Sequence, residues 1–447
     1  MKEIYVFMKD EYLQRRLIYN LIVLAVLCLC SMITQYMSFV LCAFCLVILG
    51  FSTEEEGFCY LAFLMPFCNV IRAFDVEWIY ISLLALYTLF LTIKMLVKKE
   101  FKIKIPIIIL ILLLIIEMLL PIGAYDGLKF EFIGIILLSF LLPAVIWQKR
   151  DKINLKKFLY VSFISFIYSV VLAFFVKFIP NANQFIPIFY AEGGVRFSAL
   201  FSNPNILSQF CVFLTTLFMC YLTYAQKKPL PAFCLVVITF IGLYTRSKSF
   251  YLLTFLNILV MGVLIFRYLL NLKVKKGYLF LYVVCCVAAL ALCVALFSTR
   301  IDFSEIFDLS ILTTGRTEIW MNALKEVVSS PITLLFGLGL ASRIEWGDIL
   351  YGAHSSFIEI IYKLGIVGGL IILSILVIAV VYMLKTKKRK LKFINVYPLL
   401  IILLYSCFET TISIYAILLI SILLLLLSDN VFAQEEQKIV QQNLTKE

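Results

Sequence analysis

His354 is the single histidine in 447 residues, and it closes a polar stretch, 300–354, in a chain that is 63% hydrophobic overall. Imidazole ordinarily titrates near neutrality, so a histidine that substrate can reach is able to act as a general base; otherwise a histidine at an interface is a satisfied polar residue. The Gly337-Leu338-Gly339 turn and the Gly352-Ala353 approach are expected to leave room for a substrate beside it. Arg316 follows Gly315 at the expected start of a helix over 317–329, stopped by Pro331. On that helix Ile319, Trp320, Ala323, Leu324 and Val327 share one face, and Glu318, Asn322, Lys325 and Glu326 lie mostly on the other. An arginine beside free backbone N–H groups at a helix amino end is the chemistry that holds a phosphate or diphosphate.

Other cations deserve the same question. Arg196 sits in Gly193-Gly194-Val195-Arg196-Phe197, shortly before Asn203-Pro204-Asn205, which reads as the cap of a following helix. By itself Arg196 is either an anion ligand or an arginine snorkelling to headgroups. Arg246 and Lys248 occupy the turn Tyr244-Thr245-Arg246-Ser247-Lys248-Ser249 and are read either as anion ligands or as contacts to lipid phosphate. Arg343 matches no motif.

The elements that position these residues are membrane spans. Apolar runs of bilayer length recur from end to end, which excludes a soluble domain. Fourteen spans, give or take two, are expected: 17–33, 36–51, 57–72, 78–97, 104–122, 128–147, 157–179, 203–225, 230–245, 248–267, 277–298, 354–384, 393–408 and 411–428. The fold class is therefore all-α and polytopic. N-terminal spans (1–179), a loop (180–202) and central spans (203–298) precede one large loop (299–353), C-terminal spans (354–428) and a tail (429–447). The 317–329 helix is expected to be amphipathic and to lie along the outer membrane surface. The basic start of the chain, followed by an apolar run with no small-residue cleavage site, reads as a retained first span.

If the amino terminus is cytoplasmic, 27 of the 39 Lys and Arg fall on that side, ten fall on the other, and Lys94 and Lys363 lie within spans. This is a strong positive-inside signal. Both termini are then cytoplasmic in a multi-pass protein of the cell membrane, and the loops 180–202 and 299–353 are extracytoplasmic. The net charge of +12 is spread in short clusters at helix ends, so it orients the chain against membrane lipid and indicates no nucleic acid. Thirteen cysteines lie mostly in apolar runs without histidine company and read as small apolar residues, neither a disulfide framework nor a metal site.

Taken in order, Gly315-Arg316 with Trp320, Pro331, Gly337 with Gly339, His354, and Gly365 with Gly368 resemble the large outer loop and following helix of the O-antigen ligase and O-antigen/capsule polymerase superfamily. Upstream, Arg196 with Phe201-x-x-Pro204-Asn205, and Thr245-Arg246-Ser247, resemble two further signatures of that family. Lys363 stands where the family often has an acidic residue, and the loop is rather short. The resemblance implies a metal-independent membrane glycosyltransferase without cofactor, working on the outer face of the cytoplasmic membrane. Its donor is a glycan linked to undecaprenyl diphosphate, and a flippase and a chain-length regulator are its implied pathway partners. It also implies that Arg196, Arg316 and Arg246 hold the diphosphate and that His354 is the loop histidine.

Such a reaction carries a sugar hydroxyl to an anomeric carbon while a lipid diphosphate departs. It needs a base on one side and fixed cations on the other. His354 is the expected base, with Glu192 and Glu409 in reserve, Arg196 and Arg316 neutralise the leaving group, and Tyr190 is a candidate for glycan stacking, with Trp320 a further substrate candidate. A polymerase making capsule, exopolysaccharide or O-antigen is favoured over a ligase, because the Ile-, Lys- and Phe-rich composition hints at a Gram-positive source. A flippase-type transporter would concentrate ionisable residues near the bilayer midplane and often shows internal repeats, and neither pattern is visible here.

Overall fold

A computed structural model describes, in the main, residues 2–71, 79–100, 141–149, 153–182, 187–191, 194–224, 229–264, 316–339, 342–346, 349–385 and 392–409. The expected span 411–428 lies outside them, as do most of 104–122, 128–147 and 277–298. Four described helices are long and apolar enough to cross a membrane: Gln14–Ile33, Lys156–Phe178, Pro204–Leu222 and Ser356–Ser374. Shorter apolar helices occupy Tyr36–Phe51, Ser82–Val97, Pro229–Leu243 and Lys248–Val260. The chain divides into two compact units, one of residues 1–99 and 145–207, the other of 100–144 and 208–447.

The first unit contains α1 (Lys2–Ile33), α2 (Tyr36–Phe51), α3 (Glu54–Leu64), α4 (Ile79–Val97), the end of α5 (Leu142–Lys149) and α6 (Leu155–Phe175). The expected span 57–72 is corrected here. α3 has 11 residues, about 16 Å at 1.5 Å per residue, half of the bilayer's apolar core. Pro66 follows it in a short 3-10 turn. Every residue from Gly57 to Leu64 is buried, as befits a helix apolar on all sides that protein, not lipid, surrounds. Asn20 Nδ2 of α1 donates to Tyr60 Oη at 2.8 Å, Tyr168 Oη of α6 donates to the Ala25 carbonyl at 2.9 Å, and the Ser165 hydroxyl donates to the Phe63 carbonyl.

Thr53 caps α3 in a reciprocal box with Glu56, satisfying amino-terminal N–H groups. Three consecutive acids meet three bases there: Glu56 pairs with Arg16, Glu54 with Lys149 at 3.6 Å, and Glu55 with Lys157 at 3.0 Å. Burial raises the Glu56 carboxyl, but Arg16 and the Thr53 N–H and hydroxyl outweigh it and hold the group below its ordinary range. Asn181 Nδ2 bonds the Ile33 carbonyl at 3.1 Å, and Asn69 Nδ2 the Leu200 carbonyl at 3.3 Å.

Among the described residues, all-α holds except for two antiparallel ribbons, for which the sequence reading has no strands. β1 (Ile188–Ala191) pairs with β2 (Gly194–Phe197), and β3 (Ile344–Trp346) with β4 (Ile349–Tyr351). In each pair the strands are two residues apart in sequence, a spacing that suits a hairpin.

In the second unit, α7 (Pro204–Tyr224) enters from its first turn and is followed by α8 (Pro229–Leu243), α9 (Lys248–Leu264), α10 (Arg316–Val327), α11 (Pro331–Phe336), α12 (Ser356–Lys385) and α13 (Lys392–Phe408). α7 starts as its Asn-Pro-Asn sequence predicts: Pro204 opens the helix and Asn203 Oδ1 accepts from Ile206 N at 3.0 Å. Thr216, Asn257 and Tyr397 join α7, α9 and α13 through a buried hydrogen-bonded cluster.

α10 forms at the expected place but is not an empty-faced surface helix. Ile319, Ala323 and Val327, four residues apart, pack with Ile344, Ala353 and Tyr362 in one apolar cluster. The stripe that could have faced lipid faces protein. Ser330 caps α11 with Pro331 behind it, and Gly337 ends it at φ 74°.

Gly337 and Gly339 do not make room for substrate, contrary to the sequence expectation. α12 breaks at Gly365 (φ 62°), and the carbonyls of Tyr362 and Lys363 accept instead from Leu338 N at 2.8 Å and Gly339 N at 3.0 Å. A Cβ on Gly337 would stand 2.4 Å from the Lys363 carbonyl carbon, and one on Gly365 2.4 Å from that of Leu335. Backbone is pressed on backbone, so glycine is a packing requirement. Gly365→Ala should cost more than the roughly 1–2 kcal/mol of a left-handed non-glycine residue, read as a lower unfolding temperature in detergent. Gly369→Ala, whose Cβ would meet only Ile360 Cγ2 at 3.9 Å, should leave that temperature unchanged.

Candidate active site

In the second unit Arg316, His354 and Ser356 meet at one acidic residue. Glu409, just past the end of α13, accepts on Oε1 from Arg316 Nη2 at 2.7 Å, and its Oε2 lies 3.5 Å from His354 Nδ1. The Glu409 side chain is 7% exposed and that of His354 39%. Its backbone is held too: Glu409 N donates to the Tyr405 carbonyl at 3.0 Å, and Ser356 Oγ donates to the Glu409 carbonyl at 3.1 Å. Three segments far apart in sequence are thus fixed to one another by a buried acid. A buried carboxylate bonded to a guanidinium on one oxygen and facing an imidazole with the other is a poorer candidate for base than that imidazole, and a better one for orienting it.

His354 adopts a left-handed backbone (φ 48°), at a cost of about 1–2 kcal/mol for a side chain other than glycine. Such strain persists where neighbours over-determine it and concentrates at functional sites. On one side the buried Ala353 offers its carbonyl to Trp320 Nε1 at 2.6 Å. On the other, Ser355 and Ser356 are buried at the start of α12. Trp320 thereby supports the backbone that aims the histidine, where sequence reading had it among the substrate contacts. Gly352 leaves the approach open, since a Cβ there would meet nothing within 4 Å. The 3.5 Å separation is long for a hydrogen bond, and a carboxylate beside Nδ1 favours the tautomer with its proton on that nitrogen.

Positive charge gathers at the same place. Lys248, the first residue of α9, feels the field of the Arg316 guanidinium. The Tyr405 phenol, one turn before Glu409, is hydrogen-bonded to the hydroxyls of Ser208 and Ser247. The Tyr244–Ser249 turn is therefore tied to the His354 end of the unit. Arg246 is an exposed, left-handed residue of that turn (φ 49°). Two cations near enough to feel each other, with Arg316 bonded to Glu409, make a locally positive place, the condition under which an anion binds. A guanidinium has five N–H donors, so its bond to Glu409 is compatible with an anionic partner as well.

The sequence leaves Lys248 open between an anion ligand and a lipid-phosphate contact, and it offers Glu409 as a base in reserve; its place between Arg316 and His354 is what the sequence does not give. The usable signal was position: Glu409 is an acid at the junction of two apolar runs, where an ionisable residue is expensive unless it has a purpose. Lys363, the departure from the family pattern, pairs at 2.6 Å with Glu359 one turn earlier in α12.

The remaining candidates belong to the first unit. Arg196 Nη2 donates to Asn205 Oδ1 at 2.6 Å, joining the β2 strand to the start of α7. Tyr190 is 85% exposed on β1. Glu192 lies outside the described residues.

Residues 211–373 match the model of the O-antigen ligase family. No curated protein matches the chain. The matched stretch contains Arg246, Lys248, Arg316, Trp320, the Gly337-Gly339 pair, His354 and Gly365, whereas Arg196 and Glu409 fall outside it. It bears out the resemblance drawn from the ordered motif residues. With the apolar helices, it marks an integral membrane protein similar to the O-antigen ligases, enzymes of polysaccharide biosynthesis that act on lipid-linked glycan.

Proposed function

We propose that this protein is a membrane glycosyltransferase that takes a glycan from undecaprenyl diphosphate and joins it to a sugar hydroxyl of a growing surface polysaccharide. The observation that carries the reading is the Arg316–Glu409–His354 constellation inside the stretch that resembles O-antigen ligases. Glu409 orients the imidazole, Nε2 of His354 removes the proton of the acceptor hydroxyl, and that oxygen attacks the anomeric carbon. The bond from that carbon to the diphosphate oxygen breaks, and Arg316 with Lys248 neutralises the charge it releases. Arg246 and Arg196 are further diphosphate candidates, and Tyr190 remains the candidate for glycan stacking. In this reading the His354 end faces the extracytoplasmic side and both termini face the cytoplasm, as the basic residues imply.

A ligase-type reading, transfer of the lipid-linked glycan to a different acceptor, is supported by the description of the matching family. Purified, reconstituted protein supplied with an undecaprenyl-diphosphate oligosaccharide alone should release undecaprenyl diphosphate and give a ladder of lengthened products. Product formation only after a second acceptor is added would establish the ligase reading. No consumption of the donor under either condition would overturn both.

A further inference from the structure

The β1–β2 ribbon of the first unit is two-faced. Directly opposed residues are Ile188 with Phe197 and Tyr190 with Val195, so these four share a face. Phe189 and Arg196 oppose each other on the second face. Exposure follows that alternation: Ile188, Tyr190 and Val195 are exposed while Phe189 and Arg196 are half-buried. Arg196 is engaged there by Asn205. The exposed face is thus apolar and aromatic, and the charged face is turned to protein.

That face is continuous with the exposed end of an apolar helix. Phe197 stacks on Phe174 of α6, ring centroids 5.4 Å apart and planes 19° apart. Phe174, Phe175 and Phe178 are all exposed, Phe178 at 81%. They end Lys156–Phe178, a helix long and apolar enough to cross a membrane. Aromatic side chains at the end of such a span settle at the boundary between acyl chains and headgroups, where one part of the ring is dry and the other wet. A ribbon stacked on that ring of phenylalanines is held at the same depth.

We infer that the β1–β2 ribbon is a membrane-interfacial element, seating Ile188, Tyr190 and Val195 in the acyl-headgroup boundary of the leaflet at the Phe178 end of α6. The bilayer lipid is its partner. Its role is to fix the height of Arg196, on the opposite face, relative to the headgroup plane. A tyrosine seated in lipid is not a platform for a sugar ring, so the inference competes with the glycan-stacking assignment of Tyr190 and is independent of the chemistry at His354.

The test uses the full chain in phosphatidylcholine bilayers, comparing tryptophan emission of Tyr190→Trp and Val195→Trp with that of the parent. The added emission should be shifted to the blue of a water-exposed indole, lose most of its intensity to phosphatidylcholine brominated near the headgroup end of its acyl chains, and resist aqueous iodide. Phe189→Trp, on the opposite face, should be quenched much less by the brominated lipid. Added emission that iodide quenches and brominated lipid does not would overturn the inference and return the ribbon to water. Quenching by neither would place the face against protein and overturn it equally. Val195→Trp makes the test stand if Tyr190→Trp fails to insert.

Discussion

In the His354→Gln variant, glycan transfer should fall by about a hundred- to ten-thousand-fold, the range over which a positioned general base contributes, while the protein still folds and inserts. Glutamine can accept a hydrogen bond where the imidazole does, but it cannot take up a proton at neutral pH. The variant therefore separates holding the acceptor from deprotonating it. The expected readout in cells is loss of long-chain glycan with accumulation of single lipid-linked repeat units. His354→Ala should be at least as inactive. Polymer made at the parental rate by the glutamine variant would remove His354 from the role of base. Glu409, 3.5 Å from its Nδ1, and Glu192 would then be the next residues to test.

The second large effect concerns Arg316. Its side chain and that of Glu409 are 18% and 7% exposed and bonded at 2.7 Å. Arg316→Ala strands a buried carboxylate, so it should lower stability by about 3–5 kcal/mol as well as lowering turnover by a hundred-fold or more, as loss of one transition-state donor typically does at about that scale. Adding Glu409→Gln in the same chain removes the stranded charge. Stability should return while activity does not, because the diphosphate still lacks its cation and the imidazole its orienting carboxylate. Arg316→Lys should recover only part of the activity, since an ammonium cannot hold a carboxylate and a phosphate with a planar fork. Parental activity in the Arg316→Ala, Glu409→Gln double variant would sink the assignment. The stability measurement keeps a folding defect from being mistaken for a catalytic one.

The correction to α3 shows how a local pattern misleads. The 57–72 run is apolar enough to suggest a span, yet apolar composition is demanded equally by lipid and by a protein interior. Only the packing of α1 and α6 around it, with Pro66 ending it, separates the two. The two ribbons escaped for another reason, since each is a pair of very short antiparallel strands. A hydropathy reading passes over strands of three and four residues.

Composition by itself determined the membrane class, since water cannot solvate so many apolar runs. The spacing of Gly315, Arg316, Trp320, His354 and Gly365 determined the family resemblance, because those residues lie close enough along the chain to be read together. Local capping chemistry likewise set the start of α7, where Asn203 Oδ1 accepts from Ile206 N, and α10 begins one residue from its expected start. Tertiary structure alone decided what lies beside what. Glu409 is 55 residues from His354 and 93 from Arg316 along the chain, and nothing in the intervening sequence encodes that its two oxygens face them. The same holds for Gly337 and Gly365, whose meeting turns an apparent substrate cleft into a backbone contact. Side-chain type states what chemistry is available, but distance in space, set by how whole helices pack, decides which groups can exchange a proton.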